Sequence, residues 1–229
     1  MTTTRVITVR RDVQAVARGL AADFRRTMAA RGTLVVNVLS SPGSGKTSLL
    51  AATADRFLGK YRCAVLVGDI ATDRDAQRLA DHVPVVQLTT GGACHLEFPL
   101  IDQGWQALGE PAVDFLFLEN IGNLVCPASH DLGEHLRVLL LSTTEGDDKP
   151  AKYPKAFRTS HAVVISKTDL LPYVPFSLER AIEDARSIRA DLAVFPTSTL
   201  TLDGIEAWCD YLVSQRCRTL EGELCQPNR

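Results

Sequence analysis

The segment Ser40-Ser41-Pro42-Gly43-Ser44-Gly45-Lys46-Thr47-Ser48 has the residue types needed to hold a polyphosphate. Gly43 and Gly45 let backbone N–H groups close around phosphate oxygens, with Ser44 and Ser48 completing the cradle. Lys46 supplies a cation for the β- and γ-phosphates, and Thr47 a hydroxyl for Mg²⁺. The order G-x-x-x-x-G-K-[ST] departs in one place: Ser40 stands where the first glycine is usual, so it must fit without glycine's conformational freedom. Further along, Ser166-Lys167-Thr168-Asp169 offers a carboxylate that can accept two hydrogen bonds from the N1–H and N2 amino edge of guanine, a pairing adenine lacks. Asp169 is the expected base reader, Lys167 lies along the base plane, and the Ser166 hydroxyl makes a bridging bond. Glu119-Asn120-Ile121-Gly122 places an acid three residues before a glycine: Glu119 holds Mg²⁺ or orients the attacking water, and the Gly122 amide senses the γ-phosphate. Asp69 and Asp75, within Gly68–Asp75, are expected to support Mg²⁺ and, for Asp75, catalysis; Asp73 competes for the role, and an acidic helix start is the simpler alternative.

A second chemistry sits beside the first. Thr90-Gly91-Gly92-Ala93-Cys94-His95-Leu96-Glu97 puts a thiol next to an imidazole on a glycine-rich loop, and Cys126 follows Gly122 by four residues. Thiolate and imidazole together suit Ni²⁺, Zn²⁺ or copper far better than Mg²⁺. Three ligands leave a tetrahedral site incomplete, so water, another side chain or a second subunit must finish it, as a releasable metal requires. Isolated cysteines and histidines are more often core or hydrogen-bonded residues, and Cys63, Cys209, Cys217, Cys225, His82, His130, His135 and His161 are read that way.

These loops need a scaffold. Near-continuous apolar runs at 34–39, 63–67, 83–88, 113–118, 136–142, 161–166 and 192–197 alternate with helical patterns. The expected fold is α/β: a doubly wound, mostly parallel sheet of about seven strands with helices on both faces, its sites beyond the carboxyl ends of the strands. If the second, third and fourth runs are neighbours in the sheet, Cys94, His95 and Cys126 meet. Residues 1–32 carry Val13, Val16, Ala17, Leu20, Phe24 and Met28 at helical spacing, giving an amphipathic helix packed on a nucleotide-binding domain over 33–217, with 218–229 a loose tail. Twenty-five basic against 27 acidic residues leave no footprint for nucleic acid or an anionic membrane. Without a long apolar run or a secretory signal the chain is expected to be cytoplasmic, with its six scattered cysteines reduced.

In sequence order, SSPGSGKTSLL, GDIATDRDAQRL, TTGGACHLE, LENIGNLVCPASHDLGEH, STTEGDDKPAKYP and SKTDLLPY resemble the HypB family, GTPases that help insert nickel into hydrogenase, across residues 34–217. The resemblance implies a SIMIBI-class fold, GTP/GDP and Mg²⁺ as cofactors, slow hydrolysis, and dimerisation when GTP is bound. It further implies that Cys94, His95 and Cys126 hold nickel or zinc, that Lys152 reaches across the dimer, and that a HypA-like protein and a hydrogenase large-subunit precursor are partners. No N-terminal Cys-x-x-Cys-Gly-Cys or histidine-rich tract is present, so neither high-affinity N-terminal nickel binding nor storage is expected. The related urease accessory family carries Cys-Pro-His, which Cys126-Pro127-Ala128 breaks. Other readings remain: a metallochaperone for another nickel enzyme, a small-molecule kinase, which needs neither Asp169 nor the metal trio, and a zinc-bridged dimerisation module indifferent to nucleotide. No glutamine or arginine finger stands near the switch, though Arg74, Lys152 or a partner can supply charge.

Overall fold

The structure is a computed structural model that describes residues 9–69 and 74–224. All seven apolar runs form strands: β1 (Leu34–Ser40), β2 (Cys63–Asp69), β3 (Val85–Thr89), β4 (Phe115–Gly122), β5 (Leu136–Ser142), β6 (Ala162–Ser166) and β7 (Ala193–Pro196). They make one sheet in the order β3-β2-β4-β1-β5-β6-β7, every pairing parallel. The helices are α1 (Val9–Ala30), α2 (Lys46–Phe57), α3 (Arg74–Ala80), α4 (Phe98–Ala107), α5 (Lys149–Lys152), α6 (Pro154–Thr159), α7 (Leu178–Ile188) and α8 (Ile205–Leu224).

Strand alternation divides the core. Leu34, Val36 and Val38 of β1 pack with α2, α3 and α8, whereas Val35 faces α1 and α4 and Leu39 faces α6 and α7. Both faces of every central strand are therefore covered, which is why these strands read as unbroken apolar runs. Residues 218–224, expected to be loose, are helical: α8 continues to Leu224 because no proline interrupts it before Pro227. The polar, proline-containing stretch 143–159 folds in part, as α5 and α6, each started by a proline in its first turn.

β1 is interrupted by a buried amide. Asn120 donates to Asn37 at 3.2 Å, Asn37 donates to Glu134 at 3.3 Å, and the Glu134 carboxylate also accepts from Leu132 N–H at 2.8 Å and from Arg137 Nε at 2.8 Å. Arg137 in turn donates to the carbonyls of Ala128 and His130, at 3.2 and 2.6 Å. This network fixes the backbone that follows β4.

His135 fastens α1 to the sheet. Its Nδ1 accepts from Val35 N–H and its Nε2 donates to the Arg25 carbonyl, both at 2.9 Å, which requires the neutral ring. Burial depresses its pKa from 6.5 to about 4. The unfolded chain therefore takes up a proton below pH 6.5 that the folded chain refuses until about 4, and stability present at higher pH is lost through that window. The full loss is on the order of 3 kcal/mol. Over this range the urea midpoint of the wild type is expected to fall relative to that of His135→Asn, the gap between the two proteins widening as the pH drops. Glu119, whose raised pKa acts in the opposite sense, is common to both proteins.

Candidate nucleotide and metal sites

β1 ends at Ser40 and the chain turns through Gly43 and Gly45, at φ 75° and 94°, into α2. Positive φ at both positions requires glycine, whereas Ser40 remains in the strand and fits without it. Its hydroxyl accepts from Lys46 Nζ at 2.8 Å and parks the cation inside the loop. Lys46 and Thr47 are buried, Ser48 is exposed on the next turn, and Ser44 donates to Ser41 O at 2.7 Å. Burial lowers the Lys46 pKa, and Glu119, Asp75, Glu145 and Asp69 pull it back up. Thr47 Oγ1 donates to Glu119 Oε1 at 2.8 Å, leaving Glu119 Oε2 buried without a hydrogen bond. Burial pushes that carboxyl up to about 7, against Lys46 and the Thr47 bond, which lower it. An unpartnered buried oxygen beside a hydroxyl, with Asp69 and Asp75 felt by the same groups, is the all-oxygen donor set that suits Mg²⁺. Asp75 itself lies in the first turn of α3, 3.6 Å from Arg78. Asp73 is outside the described residues, as are the side chains of Arg74 and Val13.

Gly122 pairs with Ser40 in the β1–β4 register, and a Cβ there would stand 2.9 Å from both Cα and N of Pro42. Only glycine lets the end of β4 rest against the phosphate loop. From the other side, Ser166 Oγ donates to Ser44 O at 2.7 Å and Lys167 Nζ to Gly43 O at 2.8 Å, so the end of β6, just before the 3-10 turn Thr168–Tyr173 that carries Asp169, is laced to the phosphate loop. Lys167 adopts a left-handed backbone at φ 60°.

Two residues of this site went unread in the sequence. Glu145, in the loop after β5, hydrogen-bonds Ser44 and lies 3.4 Å from Lys149. Ser198, in the loop after β7, donates to Asp169 Oδ1 at 2.6 Å and orients the carboxylate. Their position just past strand carboxyl ends is the signal that points to them.

β3 and β4 flank β2 in the sheet, and the loops that follow them meet across its carboxyl end. Ligand atoms of Cys94, His95 and Cys126 all fall within 4.8 Å of one another: Cys94 Sγ is 3.0 Å from Cys126 Sγ and 3.8 Å from His95 Nδ1. Neither thiol is in a disulfide. The shared hydrogen bond with Cys126 holds the Cys94 thiol above its ordinary pKa. Asn123 straps the loops, its Nδ2 donating to Cys94 O at 3.3 Å and its Oδ1 accepting from Val125 N–H at 2.8 Å. Leu96, fully buried, anchors the first loop.

The other cysteines and histidines divide as follows. Cys63 and Cys209 are buried with pKa values near 12, Cys217 is exposed, and Cys225 is outside the described residues. His82 pairs with Asp55 at 2.6 Å and His161 accepts from Arg137 N–H at 2.9 Å. His130 is more than a hydrogen-bonded loop residue: its ring stacks on His95 with centroids 3.9 Å apart. Lys152 is exposed on α5 and ion-pairs with Asp148 at 2.5 Å, so it is not drawn into the phosphate loop of its own chain.

Residues 34–196 match the nucleotide-binding domain described as CobW/HypB/UreG. The hydrogenase maturation factor HypB of Escherichia coli K12 is 42% identical over 218 residues, covering 95% of this chain and 75% of that protein. The chain belongs to the HypB family. Among other family members, the hydrogenase/urease maturation factor HypB of Helicobacter hepaticus is 42% identical over 206 residues, 88% of this chain and 84% of its own. The crystal structure of HypB from Helicobacter pylori in complex with nickel superposes with a TM-score of 0.84 at 37% identity, over 89% of this chain and 96% of that one. The matched HypB segment runs from β1 through β7, so it contains both the phosphate loop and the Cys94, His95 and Cys126 cluster. Among the described residues no helix is long and apolar enough to cross a membrane.

Proposed function

We propose that this chain is a GTP-hydrolysing nickel metallochaperone for [NiFe]-hydrogenase maturation. The observation that carries the proposal is that one strand serves both sites: β4 brings Glu119 and Gly122 to the phosphate loop, and four residues later Cys126 meets Cys94 at 3.0 Å. GTP is read by Asp169 and Lys167 and held by Gly43, Ser44, Gly45, Lys46, Thr47 and Ser48. Thr47 and Glu119, with Asp69 and Asp75 in support, would hold Mg²⁺, which would neutralise charge on the phosphates. Glu119, with Asp75, orients the attacking water, and Lys46 stabilises charge on the transferred phosphoryl group. The Gly122 amide bonds to the γ-phosphate, and the resulting displacement of the β4 end carries Cys126 relative to Cys94 and His95. Nickel, or zinc in its place, is the cargo. A GTP-bound homodimer, with Lys152 contributed to the partner subunit, closes the metal site; a HypA-like protein and a hydrogenase large-subunit precursor are the proposed partners, in the cytoplasm.

The test is a titration of nickel and zinc into wild type and Cys94→Ala, with GDP and with a non-hydrolysable GTP analogue. Coupling of about 1–3 kcal/mol would change wild-type metal affinity between nucleotides by about 5- to 150-fold, and Cys94→Ala would abolish that nucleotide-dependent change. Binding indifferent to Cys94 rejects the site; binding that needs Cys94 but ignores nucleotide leaves a structural metal. The Helicobacter hepaticus relative, a hydrogenase/urease maturation factor, favours urease as a second client.

A further inference from the structure

We propose that His95, Glu97 and His130 form a second metal position, an N,N,O site for a borderline divalent cation such as Ni²⁺ or Zn²⁺, adjoining the Cys94–Cys126 thiolate pair; His95 lends one ring nitrogen to each position and releases its ring proton to solvent when both are filled. Ligand atoms of these three residues also lie within 4.8 Å of one another. His95 presents its two ring nitrogens to different neighbours: Nδ1 lies 3.8 Å from Cys94 Sγ, while Nε2 is 3.5 Å from Glu97 Oε1. That Nε2 atom is buried and has no hydrogen bond, an arrangement that costs free energy unless a ligand satisfies it.

His130 stacks on His95, with ring centroids 3.9 Å apart and the planes 22° from parallel, so one of the two rings turns off the stack for both in-plane lone pairs to meet at one ion. The His130 Nδ1–H donates to the Cys126 carbonyl at 2.9 Å, and Arg137 holds the His130 carbonyl at 2.6 Å. With the proton fixed on Nδ1, the Nε2 lone pair is free to bind a cation, the tautomer and backbone tie that metal-binding histidines use. Glu97 precedes α4 yet makes no side-chain cap, and its carboxylate is directed to His95. Two imidazoles and a carboxylate bind Ni²⁺ or Zn²⁺ less tightly than a thiolate pair, so the position is suited to receiving or releasing the ion beside the Cys94–Cys126 pair.

The inference deepens the metallochaperone reading and rests on it only for the nature of the cargo. Nickel alone is the probe, titrated into the full chain with GDP bound. Thiolate-to-nickel charge-transfer absorption reports the Cys94–Cys126 position, and equilibrium dialysis with metal analysis reports total binding. His130→Asn keeps a donor for the Cys126 carbonyl and deletes the Nε2 ligand; circular dichroism and GDP binding confirm folding. The expected result is that the double variant Cys94→Ala/Cys126→Ala loses the absorption but retains nickel, and that His130→Asn retains the absorption but loses one bound ion per chain. Glu97→Gln should weaken the same ion. The proposal is overturned if the folded double variant retains none, or if His130→Asn leaves the count unchanged. Absence of the absorption in wild type would instead strike the thiolate reading.

Discussion

Asp169→Asn is expected to exchange the base preference of the site, weakening GTP and admitting xanthosine triphosphate. The carboxylate accepts from both the N1–H and the N2 amino group of guanine, whereas an amide presents one acceptor and one donor, which match N1–H and the C2 carbonyl of xanthine. Hydrogen bonds to a charged group contribute about 1.5–3 kcal/mol each, so replacing the acceptor of the N2 amino group by a donor weakens GTP by about 10- to 150-fold. The Ser198 hydroxyl, 2.6 Å from Asp169 Oδ1, orients either side chain. Competition binding of the two triphosphates measures the exchange. If both bind the variant as they bind wild type, Asp169 is not the reader; if both are lost equally, the substitution has damaged the pocket rather than its selectivity.

Lys46→Ala carries the second large effect. The ammonium is buried among Glu119, Asp75, Glu145 and Asp69, and it is the group that restrains the Glu119 carboxyl from rising further above about 7. Its removal takes away the cation aimed at the phosphates and leaves a buried acidic cluster. Hydrolysis is expected to fall about 10²- to 10³-fold, the range for deleting one preorganised charge-stabilising donor. Nickel binding in GDP should remain, since Lys46 touches neither metal loop, while its response to the GTP analogue should vanish. Single-turnover phosphate release together with nickel titration separates these outcomes. A variant that hydrolyses normally would remove Lys46 from the mechanism, and one that loses nickel binding in GDP would refute the division between the sites.

The sequence made some of this legible for physical reasons. The phosphate loop is contiguous, and its glycines are demanded by local backbone geometry, so Gly43 and Gly45 at positive φ needed no tertiary knowledge. The seven strands were readable because burial on both faces leaves uninterrupted apolar runs, and the parallel order then brings the two metal loops together. What stayed hidden depends on the crossovers. Glu145 matters because β5 lies beside β1, and Ser198 because β7 lies beside β6; neither residue belongs to a local pattern. His130 was taken as an ordinary polar loop residue because its nearness to His95 arises from two chain segments 35 positions apart, joined only in space. Residues 218–224 were read as loose for a different reason: their periodicity is weak, yet they continue a helix whose upstream residues Trp208 and Leu212 are buried in the core.

Gly68 of β2 and Leu96 of the metal loop occupy one shared volume. A Cβ on residue 68 would lie 2.8 Å from Leu96 Cδ1, and Leu96 is wholly buried between the cysteine–histidine pair and Glu97. Any side chain at 68 therefore has to displace Leu96 from its buried seat, and the metal loop with it. The bare backbone of β2 at this point is thus what lets the loop that carries the thiol and the imidazole sit down on the sheet.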